Sequence, residues 1–523
     1  MKKYCFYYKI DLKINDHKKE LKLWKIKNKN QTNIRLGGGG EQLYNFLNKN
    51  IKEFNPYILS ILSIIFLVLV GLISYKVNTT YAVFTDTIMG TKTIEITVKA
   101  DTLDKSGANK PVLDNAMIPV YYDEKAETWK KADETNKNKK YQWYDYNNKM
   151  WANSATVSSA NRSTYQSASV GTTIPMDDIL TMQVWIPRYK YKLWNYNADG
   201  TKASEPQEIE ITFEDGTDKT GEITCTDTIS GTDGAASETC KIGSTTCTDS
   251  TCNNKYYTHP AFTFGDEEIK GFWIGKFELT GTIDSISTKP DIQSIRSQNV
   301  STFETNIMNM KNSGNSYGLS TTTDTHMIKN MEWGAVAYLS HSKYGTCENG
   351  TCKEAGINNN SGFKTGCGDE AGSGSSQACD SYNTATGQKA STTSNIYGAY
   401  DMSGGAYEYV MASLVNTSGT NMISSSSGYN NSEYPDSKYY DIYSYSTSYS
   451  SRIRSKLGDA IKEVYNSDEF SWYSDLSVLA SSDGAWFQRG GLNDEDLTAG
   501  LFSSVNDDGS NSRYYSTRLI ITP

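Results

Sequence analysis

Hydrophobic and polar positions change their rhythm several times along this chain. Residues 57–75, Tyr-Ile-Leu-Ser-Ile-Leu-Ser-Ile-Ile-Phe-Leu-Val-Leu-Val-Gly-Leu-Ile-Ser-Tyr, are almost continuous hydrocarbon, with three serines and no charge. That is close to the roughly 20 residues a helix needs to cross a bilayer, and Tyr57 and Tyr75 stand where interfacial aromatics belong. The run predicts a single transmembrane helix over 57–75. Beyond it the period shortens. Lys92-Thr-Ile-Glu-Ile-Thr-Val98 alternates as a strand with one buried face. Residues 118–122, 141–146 and 151–153 read as short strands and turns crowded with Tyr and Trp, more in keeping with the core of a small β-unit than with sugar-binding rings. Over 184–194 the alternation sets Trp185, Tyr189 and Tyr191 against Arg188, Lys190 and Lys192. Residues 271–280 form a core strand on which Lys276 and Glu278 are expected to pair or to face solvent. Helical spacing covers 299–310 and 330–342, the second with Trp333, Val336, Ala337 and Ser340 on one face. A short helix at 457–465 and closing strands at 486–491, 500–502 and 518–521 complete an α+β pattern.

Charge gives the apolar run an orientation. The formal net charge is −9, yet the first 55 residues are lysine-rich and the remainder is acidic. Lysines stay on the cytoplasmic side. The expected layout is a basic cytoplasmic tail (1–56), the transmembrane helix (57–75), a β-rich extracellular region (76–180) and a larger domain (181–523). Small residues at Thr80 and Ala82 leave cleavage after Ala82 as the alternative to a retained anchor. Either way the bulk of the chain is exported, and the acidic balance disfavours nucleic acid as a partner.

Cysteine placement agrees with export. Cys5 precedes the apolar run; Cys225, Cys240, Cys247, Cys252, Cys347, Cys352, Cys367 and Cys379 all follow it in close sequential pairs. Even numbers in polar, Gly/Ser/Thr-rich sequence point to disulfides that close small loops, here 225–240, 247–252, 347–352 and 367–379. Zinc is the rival reading, but the spacings are not CxxC and no histidine accompanies them in a ligand pattern.

The stretch Asn395-Ile-Tyr-Gly-Ala-Tyr-Asp-Met-Ser-Gly-Gly-Ala-Tyr-Glu-Tyr-Val-Met411 combines aromatics, a glycine pair and two acids. It resembles the "GLYDMxGNVWEWV" signature of the formylglycine-generating-enzyme-like family, a variant of the C-type lectin fold. Phe272-Trp-Ile-Gly-Lys-Phe-Glu-Leu-Thr280, Asn330-Met-Glu-Trp-Gly-Ala-Val-Ala-Tyr338 and Trp486-Phe-Gln-Arg-Gly-Gly491 resemble three further motifs of that family in the same order. The resemblance implies an α+β, C-type-lectin-like domain of short irregular strands and a few helices, spanning about 184–523. It does not fix an activity, because one fold hosts many functions.

The family's oxidases need a cysteine pair late in the domain, and this chain has no cysteine after Cys379. A non-catalytic member is therefore expected. Calcium is the one cofactor the resemblance suggests, held by Asp401 and Glu408, although Gly405 replaces a family asparagine that could serve as a ligand. The competing expectation is that both acids cap local backbone N–H groups. For binding, residues 424–452 have the Tyr/Ser/Asn mixture of antibody paratopes. Tyr429, Asn430, Tyr434, Tyr439, Tyr440, Tyr443, Tyr445 and Tyr449 are the candidate ligand contacts. The expected function is a membrane-anchored bacterial surface protein that binds an external glycan or protein. Its alternatives are an enzyme using Asp401, Glu408 or Asp459, and a structural, pilus-like surface component.

Overall fold

Two larger sheets take up most of the strand-forming sequence after residue 118. The computed structural model describes residues 12–13, 95–96 and 102–523, apart from 198–204, 228–236, 375–378, 417–419, 430–433, 446–453 and 468. The chain divides into two units, 1–101 and 102–523. In the first, Leu12–Lys13 pairs with Glu95–Ile96. Everything below concerns the second.

Strands of the two larger sheets are β1 (Ile118–Asp123), β2 (Thr128–Lys131), β3 (Asn153–Val157), β4 (Ile179–Pro187), β5 (Gly271–Gly275), β6 (Asp324–Met327), β7 (Tyr407–Val415), β8 (Asp441–Ser444), β9 (Trp486–Arg489), β10 (Ser504–Asp507), β11 (Tyr515–Thr517) and β12 (Leu519–Thr522). The first sheet has the order β6-β12-β5-β4-β3-β1-β2 and is antiparallel throughout. Its central strands β3, β5 and β12 are buried on both faces, which is why their sequence runs apolar or small instead of alternating. The second sheet has the order β8-β7-β9-β10, and β11 lies parallel to the start of β7. Strands β11 and β12 are separated by Arg518 alone, so the chain passes from one sheet to the other at that residue.

Three helices support the sheets: α1 (Ser159–Ser167), α2 (Val300–Met308) and α3 (Asn330–Ser340). Asn299 caps α2 through its side-chain oxygen on the Thr302 N–H. All of α3 is buried. Gly334 is required there, because a Cβ would lie 1.9 Å from the Gly458 carbonyl oxygen. The core is aromatic, as the composition implied: Trp273 lies against both Trp143 and Trp185, at centroid distances of 6.3 and 5.2 Å. Trp129, Trp143, Trp151, Tyr144 and Tyr146 are core residues, and Tyr141 is half-buried against them. The four expected disulfides are formed: Cys225–Cys240, Cys247–Cys252, Cys347–Cys352 and Cys367–Cys379. The first joins directly opposed residues of the hairpin Ile223–Asp227/Glu238–Ile242.

Several expectations are corrected. Among the described residues strands make up 30% and helices 17%, which gives an α+β or mostly-β fold with no membrane-spanning helix among them, unlike the expected class. Among the described residues the longest helix is the 11-residue α3, and no helix is long and apolar enough to cross a membrane. Residues 57–75 lie outside the described residues. The helix expected at 457–465 is instead a series of turns leading into the strand Tyr465–Ser467. Asp459 takes the N–H groups of Lys456, Ile461 and Lys462, and Ala460 adopts a left-handed φ of 55°; both compete with a helix. Residues 500–502 are turn, and the strand begins at Ser504. Lys276 and Glu278 neither pair nor face solvent: both are fully buried. The Lys276 ammonium donates to the carbonyls of Ile396 and Gly398 and sits over the rings of Trp129 and Tyr400.

Candidate functional site

The four segments that carry the family resemblance are linked one to the next: Arg489 bonds Asn330, 486–491 pairs with 395–411, and 395–411 meets 272–280 at Arg518. Its guanidinium donates through two nitrogens to the two carboxylate oxygens of Glu408 on β7, and through a third to the Gly275 carbonyl at the end of β5. One side chain thereby ties the two sheets together at the residue where the backbone crosses between them. Asp401, held at a φ of 62°, accepts from the Gly366 N–H and the Asn358 side-chain amide. Glu278 accepts from the Ala406 N–H at 2.9 Å. Gly405 is the residue that lets Glu278 approach: its φ is +73°, and a Cβ would lie 2.4 Å from the Glu278 carboxylate.

Three acids and one arginine out of water cannot all be charged without cost. Burial raises the acids' pKa values, Asp401 to about 6 and Glu408 to about 7. Glu278 is raised furthest, by burial and then by the charges of Glu408 and Asp401. Burial works against the Arg518 charge, but the surrounding acids, Glu408 first, hold its pKa above the usual value. The cluster is therefore an Arg518–Glu408 ion pair, an amide-held Asp401 and a Glu278 whose neutral form its surroundings favour. Every oxygen of Asp401 and Glu408 already receives a hydrogen bond within the fold. That donor set suits backbone capping and ion pairing better than calcium, which needs 6–8 free oxygen ligands. Asp459 is occupied likewise by three backbone N–H groups and the Tyr443 hydroxyl.

The candidate binding tyrosines pack against Trp486 and its neighbours. Tyr429 and Tyr434 stack on the indole, at centroid distances of 5.9 and 6.0 Å, and Tyr440 meets Tyr434 edge-on at 4.5 Å. Tyr443 is fully buried, with its hydroxyl shared by Asn330 and Asp459. Tyr439 is buried with its hydroxyl on Asp324, and Tyr445 is half-buried, its N–H on the Val415 carbonyl. Asn430 and Tyr449 lie outside the described residues.

One recess has no counterpart in the local sequence. His341, Lys353, Glu354, Ala355, Tyr473, Asp475, Leu501 and Phe502 line it. The His341 ring bonds the Tyr473 hydroxyl at 2.8 Å, and burial lowers its pKa to about 4, leaving it neutral. Burial raises Asp475 to about 8, and burial together with the Asp475 charge raises Glu354 to about 9. Asp475 accepts the Phe502 N–H with one oxygen, while its buried Oδ1 has no hydrogen-bond partner. Tyr473 and Ser474 hold φ of 64 and 73°, left-handed values that cost non-glycine residues energy. These groups lie up to 134 residues apart, between His341 and Asp475, so no spacing rule brings them together.

No family model matches the chain, and no curated protein matches it as a relative.

Proposed function

We propose that residues 102–523 form a non-catalytic binding module of an exported protein, which engages an external glycan or protein. The observation that carries this reading is the saturation of the motif acids. Asp401, Glu408 and Asp459, the acids placed for chemistry, are consumed by Arg518, backbone N–H groups and neighbouring side chains. They build a frame in which every carboxylate oxygen already accepts a hydrogen bond. Four disulfides support a site of action outside the reducing cytoplasm. Convergence supports placing the chain with the formylglycine-generating-enzyme-like proteins: Glu278, Asn330, Glu408 and Arg489 come from the four resembling segments, and the Arg489 guanidinium joins Asn330 to the carbonyls of Asp459 and Ala460. Calcium remains a proposal to be tested in the same experiment. The purified full chain is applied to glycan and protein arrays, with calcium and with EDTA. Selective capture of a glycan or protein class supports the reading; an absence of capture in both conditions rejects it.

A second reading, carboxylate chemistry, has one observation in its favour: Glu354 and Asp475 share the recess beside the His341–Tyr473 pair, with Asp475 Oδ1 unpartnered. Turnover of an arrayed ligand that is lost in Glu354→Gln and Asp475→Asn would select it.

A further inference from the structure

Arg296 and Arg513 are neighbours, and among the described residues neither has an ion-paired acid. The Arg296 guanidinium donates to the Arg513 carbonyl and lies 4.0 Å from the centre of the Phe363 ring. Arg513 lies 4.6 Å from the centre of the Tyr514 ring and donates to its hydroxyl. The two rings are 6.3 Å apart. The backbone fixes the arrangement: the Ser297 N–H donates to the Ser512 carbonyl at 2.9 Å, the Ser294 N–H to the Phe363 carbonyl, and Ser297 and Phe363 both take left-handed φ, of 63 and 53°. Among the described residues neither arginine forms an ion pair, and Arg296 Nε is buried with no hydrogen-bond partner. Burial, and then the Arg513 charge, weigh against the Arg296 charge, while Glu278 favours it. Planar guanidiniums braced on aromatic faces are pre-organised for oxyanions, because little side-chain freedom is left to lose.

We infer that Arg296 and Arg513 form an anion subsite that takes the carboxylate or sulfate group of an acidic saccharide. The residues next to the two arginines in sequence, Ser297, Ser510, Asn511 and Ser512, carry hydroxyls and an amide, which suit a hydroxyl-rich ligand better than an apolar peptide. The subsite rests on the binding reading and gives it a location and a ligand class.

Arginine labelling by phenylglyoxal, read residue by residue by mass spectrometry on the full chain, tests it. The basic N-terminal tail also attracts polyanions, and Arg35 reports that effect separately. Dextran sulfate is expected to slow labelling of the exposed Arg513 about tenfold, uncharged dextran to leave it unchanged, and Arg296→Gln to abolish the protection. A melting curve of the variant shows whether it is folded, and the wild-type comparison of the two polymers decides the matter without it. Equal labelling of Arg513 with all additives overturns the subsite. Equal protection by free sodium sulfate at matched sulfate concentration overturns the saccharide assignment. Array capture with Arg513 unprotected would reject this subsite and leave the binding reading standing.

Discussion

Replacing Glu408 or Glu278 by glutamine separates two roles that lie a few ångströms apart. At pH 8 Glu408 is ionised and paired with the fully buried Arg518. Glu408→Gln leaves that guanidinium charged, out of water and without its ionic partner, a change that costs about 3–5 kcal/mol. Glu278 is the acid whose neutral form burial and the charges of Glu408 and Asp401 favour. Glutamine reproduces its neutral state and can keep the Ala406 N–H bond, so Glu278→Gln costs within about 1 kcal/mol. Spread over the roughly 420 residues of the unit, at about 2.1 cal/mol/K each, the larger cost lowers the melting temperature by about 3–6 °C and the smaller by about 1 °C or less. The pH dependence carries a sign. An acid whose folded pKa is raised contributes stability that is present below the unfolded value near 4 and is lost as pH rises through the folded value, about 6 for Asp401. Wild-type stability therefore declines between about pH 4 and 6 from this group. At higher pH, where Glu278 would lose its proton, only Glu278→Gln escapes the further loss. Differential scanning calorimetry of the wild type and both variants from pH 5 to 9 measures this. Equal destabilisation by the two substitutions at pH 8 would refute the placement of the proton on Glu278.

Three further outcomes are expected. Gly405→Ala sets a Cβ against the Glu278 carboxylate in a left-handed backbone conformation, which costs on the order of 2–3 kcal/mol, seen as a lower urea midpoint; an unchanged midpoint would contradict the close approach. Cys225→Ser with Cys240→Ser opens a loop of sequence separation 15 and removes about 3 kcal/mol, again read by urea unfolding. His326 is held at about 9, with Glu332 and Asp324 outweighing the effect of burial. Its contribution is complete below the unfolded value of about 6.5 and disappears as pH rises through about 9, so His326→Gln removes a stability loss on the order of 2–3 kcal/mol between pH 7 and 10.

Local pattern carried the fold further than it carried the site. Trp273 and Trp333 announce a core strand and a core helix by their apolar surroundings, and the close cysteine pairs could bridge because each closes a short loop of polar sequence. What was not legible depends on distant partners. Lys276 and Glu278 look like an exposed pair until Trp129, Tyr400 and Arg518 arrive from elsewhere in the chain. Tyr429 and Tyr434 sit in serine- and asparagine-rich sequence that reads as surface, yet Trp486, some fifty residues later, supplies the face they stack on. Asp459 lies in a segment with helical spacing, but its carboxylate ties three backbone amides into a turn. Glu354, Asp475 and His341 give no local signal, and neither does the pairing of Arg296 with Arg513; both arise only when the loops between the two sheets are in place.

The most direct test of a binding module without catalysis follows the ligand instead of the protein. The full chain is incubated overnight with whichever glycan or protein it captures on the arrays, the ligand is eluted, and its mass is compared with that of ligand kept alone. The account predicts a ligand recovered intact, in amounts that saturate with protein concentration. Time-dependent conversion of the ligand to cleaved or altered products, abolished by Asp475→Asn, would contradict it.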